Sequence, residues 1–360
     1  MHYIFDSDAA ARPQTRINKG SLLFVTLQTV EDGRERTARP VLFEMAPGVM
    51  PLRAPMGDLW IPDTEPMAGP RNFMLAQRYA GYDYAITPSW PYDLLQFKHG
   101  GRGNAGHHTR SQNEGAMIKD ESSFASYEWP ALRPEEYERM AELRPFVPEG
   151  MKLIMRSPGG IQEQTVDLLG FENLCLMLFD EPALVEAVVA AVGERMVRHF
   201  DLALEHDFIG AGLLSDDWGF KTGTMLPPDK LRELIMPWHR KVVETIHSKG
   251  KAAILHSCGQ LSAVMDDIID DLRYDAKHSF EDTITPIEDA YARWGGRIAL
   301  LGGIDMDFLA RATPDRIHAR CREILARTAG QGGYALGSGN SIADYIPAEN
   351  YFAMLTAALV

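Results

Sequence analysis

Residues 209–259 read IGAGLLSDDWGFKTGTMLPPDKLRELIMPWHRKVVETIHSKGKAAILHSCG. The two short apolar runs in it, 209–215 and 251–257, are typical of buried strands. The segment between them, 227–250, has the spacing of an amphipathic helix and ends at a glycine. A strand, a helix and a second strand in this order predict a parallel pair joined by a right-handed crossover. The stretch therefore predicts one β-α-β unit of an α/β fold.

The same alternation of apolar runs and helical segments continues on both sides of this unit. Together with the two strands above, further runs bring the number of predicted strands to about eight, which is the number that closes a (β/α)8 barrel. A doubly wound open sheet is the competing arrangement, but no Gly-x-Gly-x-x-Gly follows the first strand. We therefore expect an α/β chain folded as a (β/α)8 TIM barrel. The further runs are PVLFEMA (40–46), YDYAITP (82–88), KLIMRS (152–157), DAKHSF (275–280), RIALLGG (297–303) and GGYALGS (332–338).

The chain has 360 residues, a length that one large α/β barrel can occupy. We expect a single barrel domain over residues 1–360. It includes an N-terminal extension of about residues 1–38 and an inserted segment of about residues 91–130. The insertion is rich in turn-forming residues and has little periodicity, which predicts a loop or hairpin over the C-terminal face of the barrel.

Composition argues against several classes of function. A formal charge of −14 disfavours a general nucleic-acid surface, and no run of about eighteen uncharged apolar residues is present to cross a membrane. The three cysteines, Cys175, Cys258 and Cys321, are too few and too scattered for a disulfide framework, which indicates a reducing compartment. The N-terminus lacks a basic region followed by an apolar run. We expect a cytoplasmic protein with a small-molecule substrate and neither a nucleic-acid nor a membrane partner.

Unusual polar residues follow the predicted strands at their C-terminal ends, where the active sites of such barrels lie. Because parallel strands end at one face of a barrel, these side chains are predicted to surround a single mouth. In chain order they are Asp216, Asp217 and Trp218, then His256 and Cys258, then His278 and Glu281, then Asp305, and finally Ser338 and Asn340.

His256 and Cys258 are the first candidates for metal binding. Side chains alternate along a strand, so these two residues point to the same side. Imidazole nitrogen and thiolate sulfur suit Zn²⁺, and a catalytic zinc site has a third protein ligand and one open position. A carboxylate can supply the third ligand, and Asp217, Glu281 and Glu44 all lie near predicted strand ends.

Four short motifs give the chain a family resemblance. DDWG (216–219), HSCG (256–259), LLGGID (300–305) and PAEN (347–350) occur in this order. The combination resembles the uroporphyrinogen decarboxylase family, most strongly from Met151 onward. That family includes the tetrapyrrole decarboxylase and zinc-dependent methyltransferases that move methyl groups to or from corrinoid proteins. The resemblance implies a (β/α)8 barrel, in agreement with the strand count.

The two branches of the family differ at recognisable positions. The decarboxylase branch has an RQAGRY-like N-terminal segment that holds substrate carboxylates, and this sequence lacks one. The methyltransferase branch has His-x-Cys after a strand and a further cysteine in a glycine-rich loop near the C-terminus. His256 and Cys258 match the first pair, whereas Asn340 stands where the further cysteine aligns. The resemblance therefore implies the methyltransferase branch, with zinc and a corrinoid protein as partner, but with a changed third ligand.

Three functions remain open from the sequence. The leading hypothesis is a zinc-dependent methyltransferase that moves a methyl group between a methyl ether or thiol and a corrinoid protein. The second is a decarboxylase of uroporphyrinogen or another carboxylic acid, in which Asp216 or Asp217 delivers a proton. Glu281 is a further candidate for acid-base work. The third is a non-catalytic barrel that binds a ligand or a corrinoid protein.

Four residues are candidates for substrate contacts, and each has a structural alternative. Trp218 can stack on a substrate or pack beside the rim. His107 lies in the inserted segment, where a solvated loop residue is the alternative. Asp305 can orient a ligand or cap the following helix, and Asn340 can bind a ligand or form a turn.

Overall fold

The computed structural model describes residues 28–31, 34–37, 40–45, 52–53, 56–88, 93–100, 112–113, 115–329 and 332–359. Its centre is one curled sheet of eight strands, in the spatial order β3-β10-β9-β8-β7-β6-β5-β4. Every ladder between neighbouring strands of this sheet is parallel. The fold is an α/β TIM-barrel-like fold, as the sequence predicts. The strands are β3 Val41–Leu42, β4 Ala85–Ile86, β5 Leu153–Arg156, β6 Ile209–Ser215, β7 Ala252–His256, β8 Ala276–His278, β9 Ala299–Leu301 and β10 Tyr334–Leu336.

Each of the eight predicted strands contains one observed strand. The prediction for 209–215 matches β6 residue for residue, whereas β3 and β4 are only two residues long. Nearly all strand residues are buried because both faces of the sheet are covered. This explains why the strands appear in the sequence as continuous apolar runs rather than as alternating patterns.

Strands β3 and β4 flank a seam in the barrel wall. Among the residues that the structure describes, no ladder joins them. Side chains bridge the seam instead: the Glu44 backbone N–H donates to the Tyr84 hydroxyl (2.6 Å), and the rings of Phe43 and Tyr84 stack with centroids 5.7 Å apart. Strands β3 and β4 are therefore held together through the Tyr84 phenol, which accepts one hydrogen bond and stacks on Phe43.

Helices cover the outside of the sheet and alternate with the strands from β5 onward. The longest, α6, starts at Pro182, where the missing N–H costs nothing, and packs closely against α8. Among the described residues, no helix combines the length and the apolar character needed to cross a membrane. The helices are α1 Ala68–Tyr79, α2 Glu121–Ser126, α3 Pro134–Glu138, α4 Ile161–Leu169, α5 Phe171–Asp180, α6 Pro182–Ala203, α7 Pro228–Lys230, α8 Met236–Ser248, α9 Ile287–Trp294, α10 Met306–Arg311, α11 Pro314–Thr328 and α12 Ala348–Leu359.

Shorter helical turns link several of these elements. Two are 3₁₀ turns and two are π turns, and one π turn leads from α7 directly into α8. They are Gly57–Leu59, Arg139–Phe146, Leu231–Ile235 and Asp267–Asp271.

The predicted extension and insertion are described only in part. Within the extension, β1 (Gln28–Glu31) pairs antiparallel with β2 (Arg34–Thr37). Within the insertion, the Gly100 N–H donates to the Gly115 carbonyl (3.0 Å), so the two flanks of the intervening segment meet. His107, a predicted substrate contact, lies outside the described residues.

Candidate metal centre

Three potential metal ligands converge where β6 and β7 end. The side-chain ligand atoms of Asp217, His256 and Cys258 all lie within 4.8 Å of one another. His256 Nε2 is 3.5 Å from Cys258 Sγ and 3.6 Å from Asp217 Oδ1. The sequence predicts that His256 and Cys258 share a face and leaves three carboxylates open as the third ligand. In the structure Asp217 is the carboxylate beside them.

Two loops bring these ligands together. The Cys258 backbone N–H donates to Asp217 Oδ1 (2.8 Å), which ties the loop after β7 to the loop after β6. The backbones approach closely one residue farther along, because Gly259 has a φ of +88° and lies directly against Gly219. The glycines of the DDWG and HSCG motifs thus allow a backbone contact that sets Asp217 against Cys258.

Burial controls the charge of this group in the absence of a metal. It lowers the pKa of His256 to about 3, so the imidazole is neutral and can act as a ligand. It also raises the pKa of the Cys258 thiol well above its ordinary value, with the Asp217 charge adding to the effect. Burial likewise raises the pKa of Asp217. A divalent cation would offset the cost of two half-buried anions, and its binding would release the thiol proton.

A second histidine lies behind the first. His278, at the end of β8, places its Nδ1 2.8 Å from Nδ1 of His256, and its Nε2 lies 3.1 Å from the Ser338 carbonyl oxygen. Ser338 in turn donates to the Glu44 carboxyl from its hydroxyl (2.5 Å) and from its backbone N–H (3.1 Å). Burial raises the pKa of Glu44 to about 8. Glu44, a carboxylate near a strand end in the sequence, therefore braces Ser338 in the structure.

Asp216, a predicted catalytic residue, is fully buried and its carboxylate accepts four hydrogen bonds. Two come from backbone N–H groups in the first turn of α4, at Gln162 (3.0 Å) and Glu163 (2.9 Å), where a helix N-terminus favours an anion. The others come from Trp218 Nε1 (3.0 Å) and His239 Nε2 (2.8 Å). Asp216 thus joins β6 to α4 and α8.

Trp218, predicted to stack on a substrate, has no exposed surface in this structure. Its ring meets His239 edge to face with centroids 4.7 Å apart. In this structure Trp218 packs beside the rim, which is the second of the two roles that the sequence allows.

The remaining candidates occupy different surroundings. Asn340 lies at the candidate metal centre, where its Nδ2 is 3.5 Å from Cys258 Sγ. Asp305 is the N-cap of α10 and accepts from the N–H groups of Asp307 (2.9 Å) and Phe308 (3.2 Å). Glu281 is half-buried and lines a small cleft next to the metal centre.

Two charged residues near the site were not singled out from the sequence. Lys277 is 3% exposed, lines the same cleft as Glu281, and donates from Nζ to the Ser279 carbonyl. Burial lowers its pKa to about 8. Burial, followed by the charges of Asp217 and Asp216, raises the pKa of Glu163 well above its ordinary value. In the sequence, Lys277 could have been noticed as a lysine within the predicted strand DAKHSF (275–280).

The fold and these side chains define a TIM-barrel-like α/β protein with a candidate metal centre at the C-terminal ends of its strands. The chain belongs to the uroporphyrinogen decarboxylase (URO-D) family, because the model of that family matches residues 163–359, more than half of the chain. This match includes β6 to β10 and all three candidate ligands.

Two individual proteins illustrate the relationship. A uroporphyrinogen decarboxylase from Hydrogenovibrio crunogenus is 27% identical over 195 residues, which cover 52% of this chain. The match spans about half, 51%, of that relative's length. A solved structure of a methyltransferase from Methanosarcina mazei is similar in fold, with a TM-score of 0.62 and 17% identity. That match covers 90% of this chain and 94% of the other.

Proposed function

We propose that this chain is a zinc-dependent methyltransferase that moves a methyl group between a small substrate and a corrinoid protein. The observation that carries the proposal is the convergence of Asp217, His256 and Cys258 within 4.8 Å at the mouth of the barrel. The fold shared with a methyltransferase supports it. The missing RQAGRY-like segment supports this branch over the tetrapyrrole decarboxylase.

The residues present fit a zinc ion. One imidazole nitrogen, one sulfur and one carboxylate oxygen make three protein ligands, the number that leaves a fourth position open in catalytic zinc sites. Asn340 stands beside Cys258, where the methyltransferase branch is expected to have a cysteine. Asp217 would take the place of that cysteine in the ligand set. A metal held by these three residues would keep one position open for a substrate.

The protein's own groups orient the reaction. When bound, zinc supplies Lewis acidity, which polarises a methyl ether oxygen or lowers the pKa of a substrate thiol. His256 and Cys258 hold their ligand atoms at the end of β7, and Asp217 is held against them by the Cys258 N–H. Asn340 presents an amide N–H₂ at the edge of the site, where it can donate a hydrogen bond to a substrate oxygen.

The decarboxylase hypothesis loses one of its two proton donors in this geometry. All four hydrogen bonds to Asp216 come from protein donors, so its carboxylate serves the packing of α4, β6 and α8. Asp217 remains beside His256 and Cys258, in the position of a ligand. The arrangement thus favours metal chemistry over proton delivery.

Metal analysis of the purified protein tests the proposal. We expect about one zinc per chain in the wild type and in Cys175→Ala, the matched control on α5, and none in Cys258→Ala. The zinc-loaded protein should convert cob(I)alamin to methylcobalamin with a methoxylated aromatic or a methylated thiol as donor. Absence of bound metal from both wild type and Cys258→Ala would contradict the proposal. Formation of coproporphyrinogen from uroporphyrinogen would assign the decarboxylase function instead.

A further inference from the structure

His256 and His278 face each other through the same ring atom, with their Nδ1 atoms 2.8 Å apart. Both rings are buried, at 3% and 0% exposure. We propose that His278 is a positioning residue that fixes the tautomer and ring orientation of His256, so that Nε2 of His256 presents its lone pair to a metal. This role of His278 rests on the proposed metal centre, because it concerns how the ligand His256 is oriented there.

The direction of the hydrogen bonds from His256 through His278 to Ser338 follows from the last acceptor, the Ser338 carbonyl. The Ser338 carbonyl can only accept, so His278 Nε2, 3.1 Å away, carries a hydrogen. A neutral imidazole has one N–H, which leaves Nδ1 of His278 as an acceptor. Nδ1 of His256 must then donate to it. The lone pair of His256 is consequently on Nε2, the atom that lies 3.5 Å from Cys258 Sγ and 3.6 Å from Asp217 Oδ1.

The surroundings of His278 favour its neutral form. Among the described residues no carboxylate contacts its ring, which packs instead against Phe43 with centroids 5.0 Å apart. A buried imidazolium without a contacting anion is costly. If His278 were charged, its Nδ1–H would donate to His256 and the hydrogen of His256 would move to Nε2, which would block the metal ligand.

The Ser338 carbonyl is itself held in place. The backbone N–H and the hydroxyl of Ser338 donate to the two carboxyl oxygens of Glu44. On the other side, Gly302 has a φ of +78°, and a Cβ there would lie 2.2 Å from the Ser338 carbonyl oxygen and 2.8 Å from His278 Nε2. A glycine is thus required for the carbonyl to reach the histidine. A series of hydrogen bonds thus runs from Glu44 through Ser338 and His278 to His256, at the proposed metal centre.

Histidine ligands in metalloproteins commonly need such an outer partner, and its loss typically weakens metal affinity by about 10- to 100-fold. A residue that only fills space would give a different result, because an apolar side chain of similar size would leave metal affinity unchanged. The two roles are therefore separable by substitution.

Two measurements test the inference. In metal-free wild type, ¹H–¹⁵N correlation spectra of the histidine rings should show the hydrogen of His256 on Nδ1 and a lone pair on Nε2. This readout does not depend on metal binding, so it remains decisive if the proposed function fails or a variant does not fold. Observation of the hydrogen on Nε2 of His256 would overturn the inference.

In the second measurement, the metal-free full-length protein is titrated with Co²⁺ alone. Binding is followed by the d–d and thiolate-to-Co²⁺ charge-transfer absorbance. His278→Leu should bind Co²⁺ about 10- to 100-fold more weakly than wild type. His278→Asn, whose amide oxygen can accept from His256, should recover most of that loss. The matched control is His199→Leu, which removes another buried histidine hydrogen-bonded to Tyr137 (2.7 Å) and should leave Co²⁺ affinity unchanged. Equal affinity in wild type, His278→Leu and His278→Asn would overturn the inference, whereas no Co²⁺ binding by wild type would refute the metal centre.

Discussion

Gly219 and Gly259 meet backbone to backbone at the mouth of the barrel. A Cβ built on Gly259 would lie 2.2 Å from the main-chain carbon and oxygen of Gly219, and one built on Gly219 would lie 2.9 Å from the Cys258 carbonyl oxygen. Real Cβ atoms do not approach backbone atoms this closely, so any larger residue must displace a loop. Each of those loops carries a candidate ligand, Asp217 on one and Cys258 on the other.

Gly259→Ala should therefore weaken both folding and metal binding. The positive φ and the backbone clash together are expected to lower the free energy of unfolding by about 2 to 4 kcal/mol. Gly223→Ala is the matched control, because nothing lies within 4 Å of its added Cβ and it lies in the loop after β6 that Gly259 contacts. Urea denaturation and zinc titration of both variants check this. Equal stability of Gly259→Ala and Gly223→Ala would mean that the loops adjust freely.

The adjacent aspartates should respond differently to the same substitution. Asp216→Asn places an N–H₂ group against at least one buried N–H in either orientation of the amide, and it removes the charge that four donors share. It is expected to cost about 3 to 5 kcal/mol of unfolding free energy. Asp217→Asn retains an oxygen that can accept from the Cys258 N–H, so stability should change by about 1 kcal/mol or less. The second variant should instead lose most zinc affinity. Denaturation curves and metal titration on the same samples separate the two roles, and a reversal of the pattern would refute both assignments.

Asn340→Cys should strengthen the metal centre. Asn340 Nδ2 lies 3.5 Å from Cys258 Sγ, so a thiolate at this position is close enough to join the ligand set. We expect roughly tenfold tighter zinc binding and a stronger thiolate charge-transfer band with Co²⁺. Asn340→Ser keeps a small polar residue without a thiolate and serves as the control. An unchanged band in Asn340→Cys would show that this loop does not reach the metal.

The stability of the metal-free protein should fall in acid partly because of His199. Burial lowers the pKa of His199 to about 4, whereas an unfolded histidine titrates near 6.5. Between those pH values the unfolded chain binds a proton that the folded chain does not, so the free energy of unfolding decreases as pH falls from about 6.5 to 4. This group should account for about 3 kcal/mol of the decrease.

Urea denaturation at pH 7, 6, 5 and 4 in the presence of a chelator measures this slope. His199→Leu should flatten it by that amount. Tyr137→Phe removes the hydroxyl bonded to His199 but keeps the imidazole buried, so its slope should resemble that of wild type. Parallel curves for wild type and His199→Leu would show that this histidine does not titrate on unfolding.

The sequence predicts the barrel well because each of the eight strands of the sheet corresponds to one short run that can be recognised in the sequence. It also predicts that His256 and Cys258 share a face, since strand alternation is a local property. The third candidate ligand depends on contacts between separate loops, such as the one from the Cys258 N–H to Asp217, which the sequence does not reveal. Strand alternation does not distinguish Asp216 from Asp217, because both follow β6 directly and only the position of α4 decides which carboxylate is buried.

The position of His278 shows the same limit at longer range. The sequence places it at a strand end, but its neighbours His256 and Ser338 come from two other strand ends, 22 and 60 residues away. Local periodicity carries no information on which ring atoms meet. The orientation of a ligand histidine is thus a property of the assembled mouth rather than of any one motif.

The phenol bridge between β3 and β4 has a mechanical consequence. Among the described residues, ladders join every neighbouring pair of strands in this sheet except β3 and β4. Separating the hydrogen bond and the ring contact between those two strands requires less work than breaking a ladder of amide hydrogen bonds. Slow local opening of the barrel wall is therefore expected beside Tyr84 and Glu44. Because Glu44 also supports Ser338 at the end of the neighbouring strand β10, movement on that side would be transmitted through Ser338 to His278.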